Sequence, residues 1–189
     1  KSGGESGKKS AEKSTESKAK PEKENHDYDF DVVVIGAGPG GYSAAFRAAD
    51  LGLKTAIIER YPNLGGVCLN VGCIPSKALL HAAKTLRYAE AFADSGIRFG
   101  KPKIDIAKLA DWKDGVVKKL TGGLSSMAKR RKITTIQGWA EFENANSVTV
   151  KPATDDADTE TRSVSFKHCI IACGSVPVQL PFMPNDDDR

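Results

Sequence analysis

The chain has 189 residues, 40% of them hydrophobic, and a net charge of +4. That length allows one ordinary domain plus a tail and excludes two large domains. The modest charge, with no basic stripe carrying interleaved aromatics, argues against a nucleic-acid groove.

Lys1 to about Asp27 is almost wholly Lys, Glu, Ser, Gly, Ala and Pro, with no large apolar side chain. Such a segment cannot bury enough surface to offset its ordering entropy, so residues 1–27 are expected to form a disordered, solvated linker. The chain opens on Lys rather than Met and shows neither an apolar leader nor a run of about 20 apolar residues. Lys1 therefore reads as other than the natural start, and a cytoplasmic setting without membrane contact is the expectation.

Order is expected from Tyr28. Asp31 to Ile35 is a β-branched run of the kind buried on both faces of a parallel sheet. Gly36 to Gly41 breaks it, and an alanine-rich helix from Tyr42 to Leu51 ends at Gly52. A second buried strand, Lys54 to Ile58, closes at Glu59, completing a βαβ unit. A helix is expected through Pro75 to about Asp94, stopped by Gly96, and a second from Asp105 to Arg130. The period then changes to two. Short strands are expected at Ile133–Phe142, Ser147–Lys151 and Ser163–Phe166 as a small antiparallel meander, followed by a separate apolar strand at Cys169–Ala172. No internal repeat is visible.

Gly36-Ala37-Gly38-Pro39-Gly40-Gly41 fits G-x-G-x-x-G. Its first glycine permits the tight turn and its second lets backbone approach a pyrophosphate. Its third lets the helix pack on the sheet. Phosphates at that helix N-terminus meet free N–H groups and a favourable dipole. Glu59, at the end of the next strand, is placed to accept hydrogen bonds from ribose hydroxyls. The pattern alone does not separate FAD from NAD.

Cys68 and Cys73 stand five residues apart in Gly65-Gly-Val-Cys-Leu-Asn-Val-Gly-Cys-Ile-Pro-Ser-Lys77. In a regular helix that spacing puts the Cα atoms roughly 8–9 Å apart, beyond the ~7 Å limit for a disulfide. A bridge therefore needs Cys68 off the regular helix or a distorted first turn. Gly72 and Pro75 supply that freedom, and they leave Cys73 at a helix N-terminus whose dipole favours a thiolate. Two free core thiols or half of a metal site are the competing readings. The metal reading would need Cys169 and Cys173, whose spacing on a strand suits ligation poorly and suits two small core side chains better. No metal is expected.

These residues closely resemble the dihydrolipoamide dehydrogenase branch of the pyridine nucleotide-disulfide oxidoreductases, from Asp31 to Arg189. Ala172-Cys-Gly-Ser-Val-Pro177 resembles the family's second FAD motif. The resemblance implies an α/β, three-layer, glutathione-reductase-type Rossmann domain over residues 28–189, with a parallel sheet and a small β-meander. It implies a Cys68–Cys73 redox-active disulfide in which Cys68 exchanges with the dithiol substrate and Cys73 passes electrons to FAD. Around the cofactor it places Gly36, Gly38, Gly40 and Gly41; Glu59 and Arg60; Gly65, Gly66, Val67 and Cys68; and Lys77, Ala140, Ala172, Cys173 and Gly174. Ala140 departs from a usual glycine, and Cys173 from a usual Thr or Ala. Both positions imply backbone contacts, so FAD binding is expected to persist.

The same resemblance implies a parent homodimer that oxidises dihydrolipoamide carried on lipoyl domains of 2-oxo-acid dehydrogenase complexes, with NAD as acceptor. The NAD-binding, central and dimerisation domains, the last with a catalytic His–Glu pair, do not fall within these residues, so the fragment is expected to retain only part of the chemistry. His81 and His168 are not substitutes, having no partner acid at a motif spacing. Two alternatives stand beside this reading: a related flavin disulfide reductase acting on glutathione, mercuric ion or trypanothione, and a non-catalytic nucleotide-binding or assembly module.

Overall fold

The computed structural model describes residues 27–153, 160–176, 178 and 180–182. The expected linker, apart from Asp27, and Pro177 of the second glycine motif lie outside the described residues. The elements run β1 (Phe30–Ile35), α1 (Pro39–Asp50), β2 (Thr55–Glu59), α2 (Gly66–Asn70), α3 (Cys73–Ala91), a 3₁₀ turn (Phe92–Ser95), α4 (Ile106–Arg130), β3 (Thr134–Gln137), β4 (Trp139–Asn144), β5 (Ser147–Lys151) and β6 (Arg162–Ile171).

The strands are ordered β3-β2-β1-β6-β5-β4. β3, β2, β1 and the C-terminal half of β6 are parallel, whereas the N-terminal half of β6 pairs antiparallel with β5, and β5 with β4. The side-chain period of two assigns each face of the parallel strands to a different layer. Val32, Val34 and Ile57 pack with Ala45 and Ala48 of α1 and with Leu124 and Ala128 of α4. Val33, Ala56 and Ile58 face the opposite way, onto Val148, Val150, Val164 and Phe166 of the meander. Helices, parallel sheet and meander thus form three layers with apolar residues at both interfaces, which is why β1 and β2 read as unbroken apolar runs.

Two strand expectations need correction. Ile133–Phe142 is not one meander strand. Its first part, β3, returns from α4 to extend the parallel sheet beside β2, with Ala56 opposite Thr134. The ladder changes hands at Gly138, whose N–H donates to the Glu59 carbonyl at 3.0 Å, and Trp139 then pairs with Lys151. Ser163–Phe166 and Cys169–Ala172, conversely, belong to the single strand β6 and its exit. The polar pair Lys167 and His168 looks like a break in the sequence, but β1 takes over the pairing there, with Val32 opposite His168. At this transfer Asp29 clamps β6, its carboxylate accepting from the Ser165 N–H and Oγ at 2.8 Å each. The Ser165 N–H, more than any other neighbour, holds the Asp29 carboxyl below its usual range.

The helices form where expected, with cleaner ends. Asp105 caps α4, its side chain accepting from the Lys108 N–H at 3.0 Å. α1 starts earlier than expected, at Pro39, a residue suited to a first helical turn. Its last turn is tied to the end of α4 by Arg131, which reaches Asp50 at 3.0 Å and lies over the Phe46 ring at 4.9 Å. Among the described residues no helix is long and apolar enough to cross a membrane.

Phe166 is 1% exposed between the parallel sheet and the meander. Phe166→Ala should cost about 3–5 kcal/mol of unfolding free energy, read from urea melts. A loss below about 1 kcal/mol would mean that the meander is not packed on the sheet.

Candidate functional site: a glycine-walled cavity beside a cysteine pair

The ends of β1, β2 and β6, the start of α1 and the strand switch at Gly138 all meet at one edge of the sheet. They enclose a cavity of about 380 Å³. Its wall on the helix side depends on an unusually close approach. A Cβ placed on Gly41 would stand 1.8 Å from the Gly36 carbonyl oxygen, so only glycine lets α1 begin this near β1. At the mouth of the turn the situation reverses, because Gly38 and Gly40 have nothing within 4 Å of the Cβ position. The backbone there fronts open space. No side chain caps α1 and its first turn holds no acid, so the helix start is left for an anion to approach.

Glu59 forms the floor. It is 9% exposed. One carboxylate oxygen accepts from the Ala37 N–H at 2.7 Å and the other from the Tyr61 N–H at 3.1 Å. Each oxygen keeps a lone pair for a further donor. Glu59 is therefore more than the ribose acceptor expected from the sequence, because the same side chain holds the glycine turn against the exit of β2.

Cys68 lies on the cavity wall and Cys73 beside it, outside the lining. Both are free thiols. The five-residue spacing is accommodated by a break between two helices rather than by a non-helical Cys68. Cys68 sits in α2, Cys73 opens α3, and Val71 and Gly72 turn the chain between them. The turn is tight, since a Cβ on Gly72 would stand 2.9 Å from the Val67 carbonyl oxygen and 3.4 Å from the Cys68 Cα. Asn70 secures α2 by donating to the Gly66 carbonyl at 3.0 Å. The side chains of Cys68 and Cys73 hydrogen-bond, and this contact, ahead of partial burial, pushes the Cys68 thiol above its ordinary range. The Cys73 N–H and the Lys77 ammonium act in the opposite direction.

Of the residues singled out from the sequence, Gly36, Gly38, Glu59, Arg60, Gly66, Val67, Cys68, Ala140, Ala172, Cys173 and Gly174 border the cavity. Gly40, Gly41, Gly65, Lys77 and Cys73 stand behind or beside it. Lys77 is exposed on α3, and its charge reaches Cys68. Cys173 is not the core side chain expected of it: it lies past the end of β6, exposed, with its Sγ 3.8 Å from the Ile35 carbonyl. Cys169 does pack against the meander core, and burial raises its thiol. His168 lies within β6 and His81 on α3. Tyr61 borders the cavity as part of the loop from Glu59 to Cys68 that the family resemblance implies around the cofactor, whereas sequence reasoning missed Trp139, which also borders it. Trp139 belongs to no motif, and only the return of the chain at Gly138 brings it beside Arg60.

A family model described as pyridine nucleotide-disulphide oxidoreductase matches residues 30–188. A dihydrolipoyl dehydrogenase of Vibrio parahaemolyticus is 54% identical over 155 residues, covering 82% of this chain and 32% of that protein. One from Buchnera aphidicola of Acyrthosiphon pisum is 56% identical over 156 residues, with the same two coverages. One from Geobacillus stearothermophilus is 51% identical over 147 residues, 78% of this chain and 30% of the relative. The chain thus spans about a third of the length of these relatives.

Two outcomes follow from the geometry of the pair. Gly72→Ala should strain the junction by an overpacking cost on the order of 1–3 kcal/mol and slow diamide-driven closure of a Cys68–Cys73 bridge, followed by site-resolved mass spectrometry. Closure at the native rate would show that the tight turn does not set the sulfur separation. Because the Cys68 thiol is raised, its alkylation by iodoacetamide should become fast only above the pH range of an ordinary thiol. Cys73→Ala should move that midpoint down. An unmoved midpoint would assign the shift to something other than the neighbouring sulfur.

Proposed function

The chain belongs to the pyridine nucleotide-disulphide oxidoreductases, and on that premise we propose that it is the FAD-binding, disulfide-bearing part of a dihydrolipoamide dehydrogenase. One observation carries this reading: the glycine turn, the Glu59 carboxylate and the Cys68 sulfur border a single cavity.

The residues present fit FAD. The uncapped start of α1 at Gly38, with open space before it, suits a diphosphate. The spare lone pairs on Glu59 suit ribose hydroxyls. Gly66 and Val67 on one side, and Ala140, Ala172, Cys173 and Gly174 on the other, present backbone and small side chains to a long, flat ligand. The departures at Ala140 and Cys173 leave these backbone edges on the cavity. When bound, FAD supplies a two-electron acceptor that reoxidises the cysteine pair and serves NAD⁺ in the full-length enzyme.

The chain's own part is thiol–disulfide exchange. Starting from a Cys68–Cys73 bridge, a thiolate of dihydrolipoamide attacks the Cys68 sulfur, the bridge breaks and Cys73 departs with the electron pair. The second substrate thiol then attacks the substrate sulfur of the mixed disulfide. Cys68 is released, and lipoamide leaves with its own sulfur–sulfur bond. Two electrons and two protons now reside on the pair as a dithiol. Lys77, near enough to act on Cys68, opposes the rise of its thiol and so helps it enter the thiolate form. Lipoyl domains of 2-oxo-acid dehydrogenase complexes are the proposed carriers of the substrate, and a cytoplasmic homodimer the proposed setting of the parent enzyme.

Anaerobic mixing of the FAD-loaded chain with dihydrolipoamide should bleach the flavin absorption. Cys68→Ser should slow this by orders of magnitude while leaving reduction by dithionite unchanged. Equal rates in the variant and the native chain would contradict the exchange role. Faster reduction by glutathione than by dihydrolipoamide would move the substrate to another branch of the family.

A further inference from the structure

The side of β3 that faces the helix layer has no helix over it. α4 lies further inward, with Leu124 and Ala128 packed against Val32 and Ile57 of the neighbouring strands. β3 is the edge strand, and Ile136 points into the meander core, so Thr135 and Gln137 take the opposite face. Between that face, α4 and the loop after β2 lies a second cavity, of about 670 Å³. Ile57, Leu64 and Ile133 line it and are buried. Lys129 and Lys132 line it and are exposed. Glu59 and Tyr61 border both this cavity and the flavin cavity, as a shared wall.

The backbone places Lys132 there at a cost. It is the one non-glycine residue with positive φ among the described residues, at 57°. It follows the end of α4, where the Lys132 N–H donates to the Lys129 carbonyl and the Ile133 N–H to the Ala128 carbonyl, each at 3.0 Å. That cap ordinarily takes glycine at the Lys132 position. It also occupies the last carbonyls of α4, which would otherwise repel an anion. The ion pairs of the described residues involve other lysines, so Lys129 and Lys132 have no carboxylate partner among them. The Thr135 hydroxyl and the Gln137 amide have no hydrogen-bond partner among the described residues either. The one carboxylate bordering the cavity, Glu59, is already held by the Ala37 and Tyr61 N–H groups.

We propose that this cavity is a second ligand site, separate from the flavin cavity, for a phosphate monoester with an apolar carbon part. Two ammonium groups, a hydroxyl and an amide offer donors for the three free oxygens and the charge of nearly −2 that such a phosphate carries. The buried aliphatic residues offer the carbon part a surface away from water. The site does not depend on the flavin reading.

The test titrates the full chain calorimetrically with phenyl phosphate, inorganic phosphate and benzoate. Phenyl phosphate should bind about tenfold or more tighter than inorganic phosphate, because its ring is buried, and tighter than benzoate. Lys129→Gln and Lys132→Gln should each weaken it on the order of 3- to 10-fold, as expected for partly exposed charge-assisted bonds. Lys132→Gly separates ligand binding from folding. It should raise the thermal midpoint, since glycine takes the positive φ without strain, and still weaken phenyl phosphate as Lys132→Gln does. Saturating FAD should leave the affinity for phenyl phosphate within about twofold. No binding by the native chain would overturn the site, as would native affinity in Lys129→Gln or Lys132→Gly. Equal binding of inorganic phosphate would reduce it to a surface attraction, and equal binding of benzoate would reject the phosphate class. Displacement of the probe by FAD would put it in the flavin cavity and end the proposal, while leaving the flavin reading intact.

Discussion

One carboxylate organises the working edge of this molecule. Glu59 ends β2 and is nearly buried, so its negative charge must be satisfied by fixed donors or become a large cost. The Ala37 and Tyr61 N–H groups satisfy it, and its own carbonyl receives the Gly138 N–H. Three chain segments, far apart in sequence, are thereby held around one residue: the glycine turn, the exit of β2 and the strand switch. The cavity exists because these three are pinned. Charge-assisted bonds of this kind are stronger than neutral ones, and their geometry leaves the outer lone pairs available to a ligand.

The second constraint is local. Two helices meet end to end at Val71–Gly72, and the glycine's missing side chain lets the start of α3 close on Cys68. The Cys68 and Cys73 side chains then sit in contact. The pair is carried by short-range geometry, the cavity by long-range pairing, and α2 connects them by placing Cys68 on the wall. The proposed redox chemistry and the proposed cofactor binding therefore depend on different parts of the fold.

Much of this is legible in the sequence, for stated physical reasons. Strands buried on both faces announce themselves as β-branched runs, and β1 and β2 form where those runs lie. The glycine spacing locates the turn, Asp105 and Gly96 locate helix ends, and the distance between Cys68 and Cys73 requires a break, which the structure places at Gly72. What escapes depends on pairing across the chain. The polar Lys167–His168 step looks like an interruption until β1 is laid beside it. Thr134–Gln137 has the alternation of a meander strand and enters the parallel sheet only because α4 returns it to β2. The double grip of Glu59 comes from the glycine turn lying against the exit of β2, and the meeting of Arg60 with Trp139 is a product of the switch at Gly138, for which one glycine among 18 gives no signal.

That the sulfur pair and a bound flavin face each other within this chain is tested most directly by the visible spectrum of the FAD-loaded protein during addition of two electrons. A long-wavelength absorption band should grow, arising from a cysteine thiolate against the oxidised ring, and it should vanish in Cys73→Ser. Direct bleaching of the flavin with no such band in the native chain would place the sulfurs away from the ring and contradict the account.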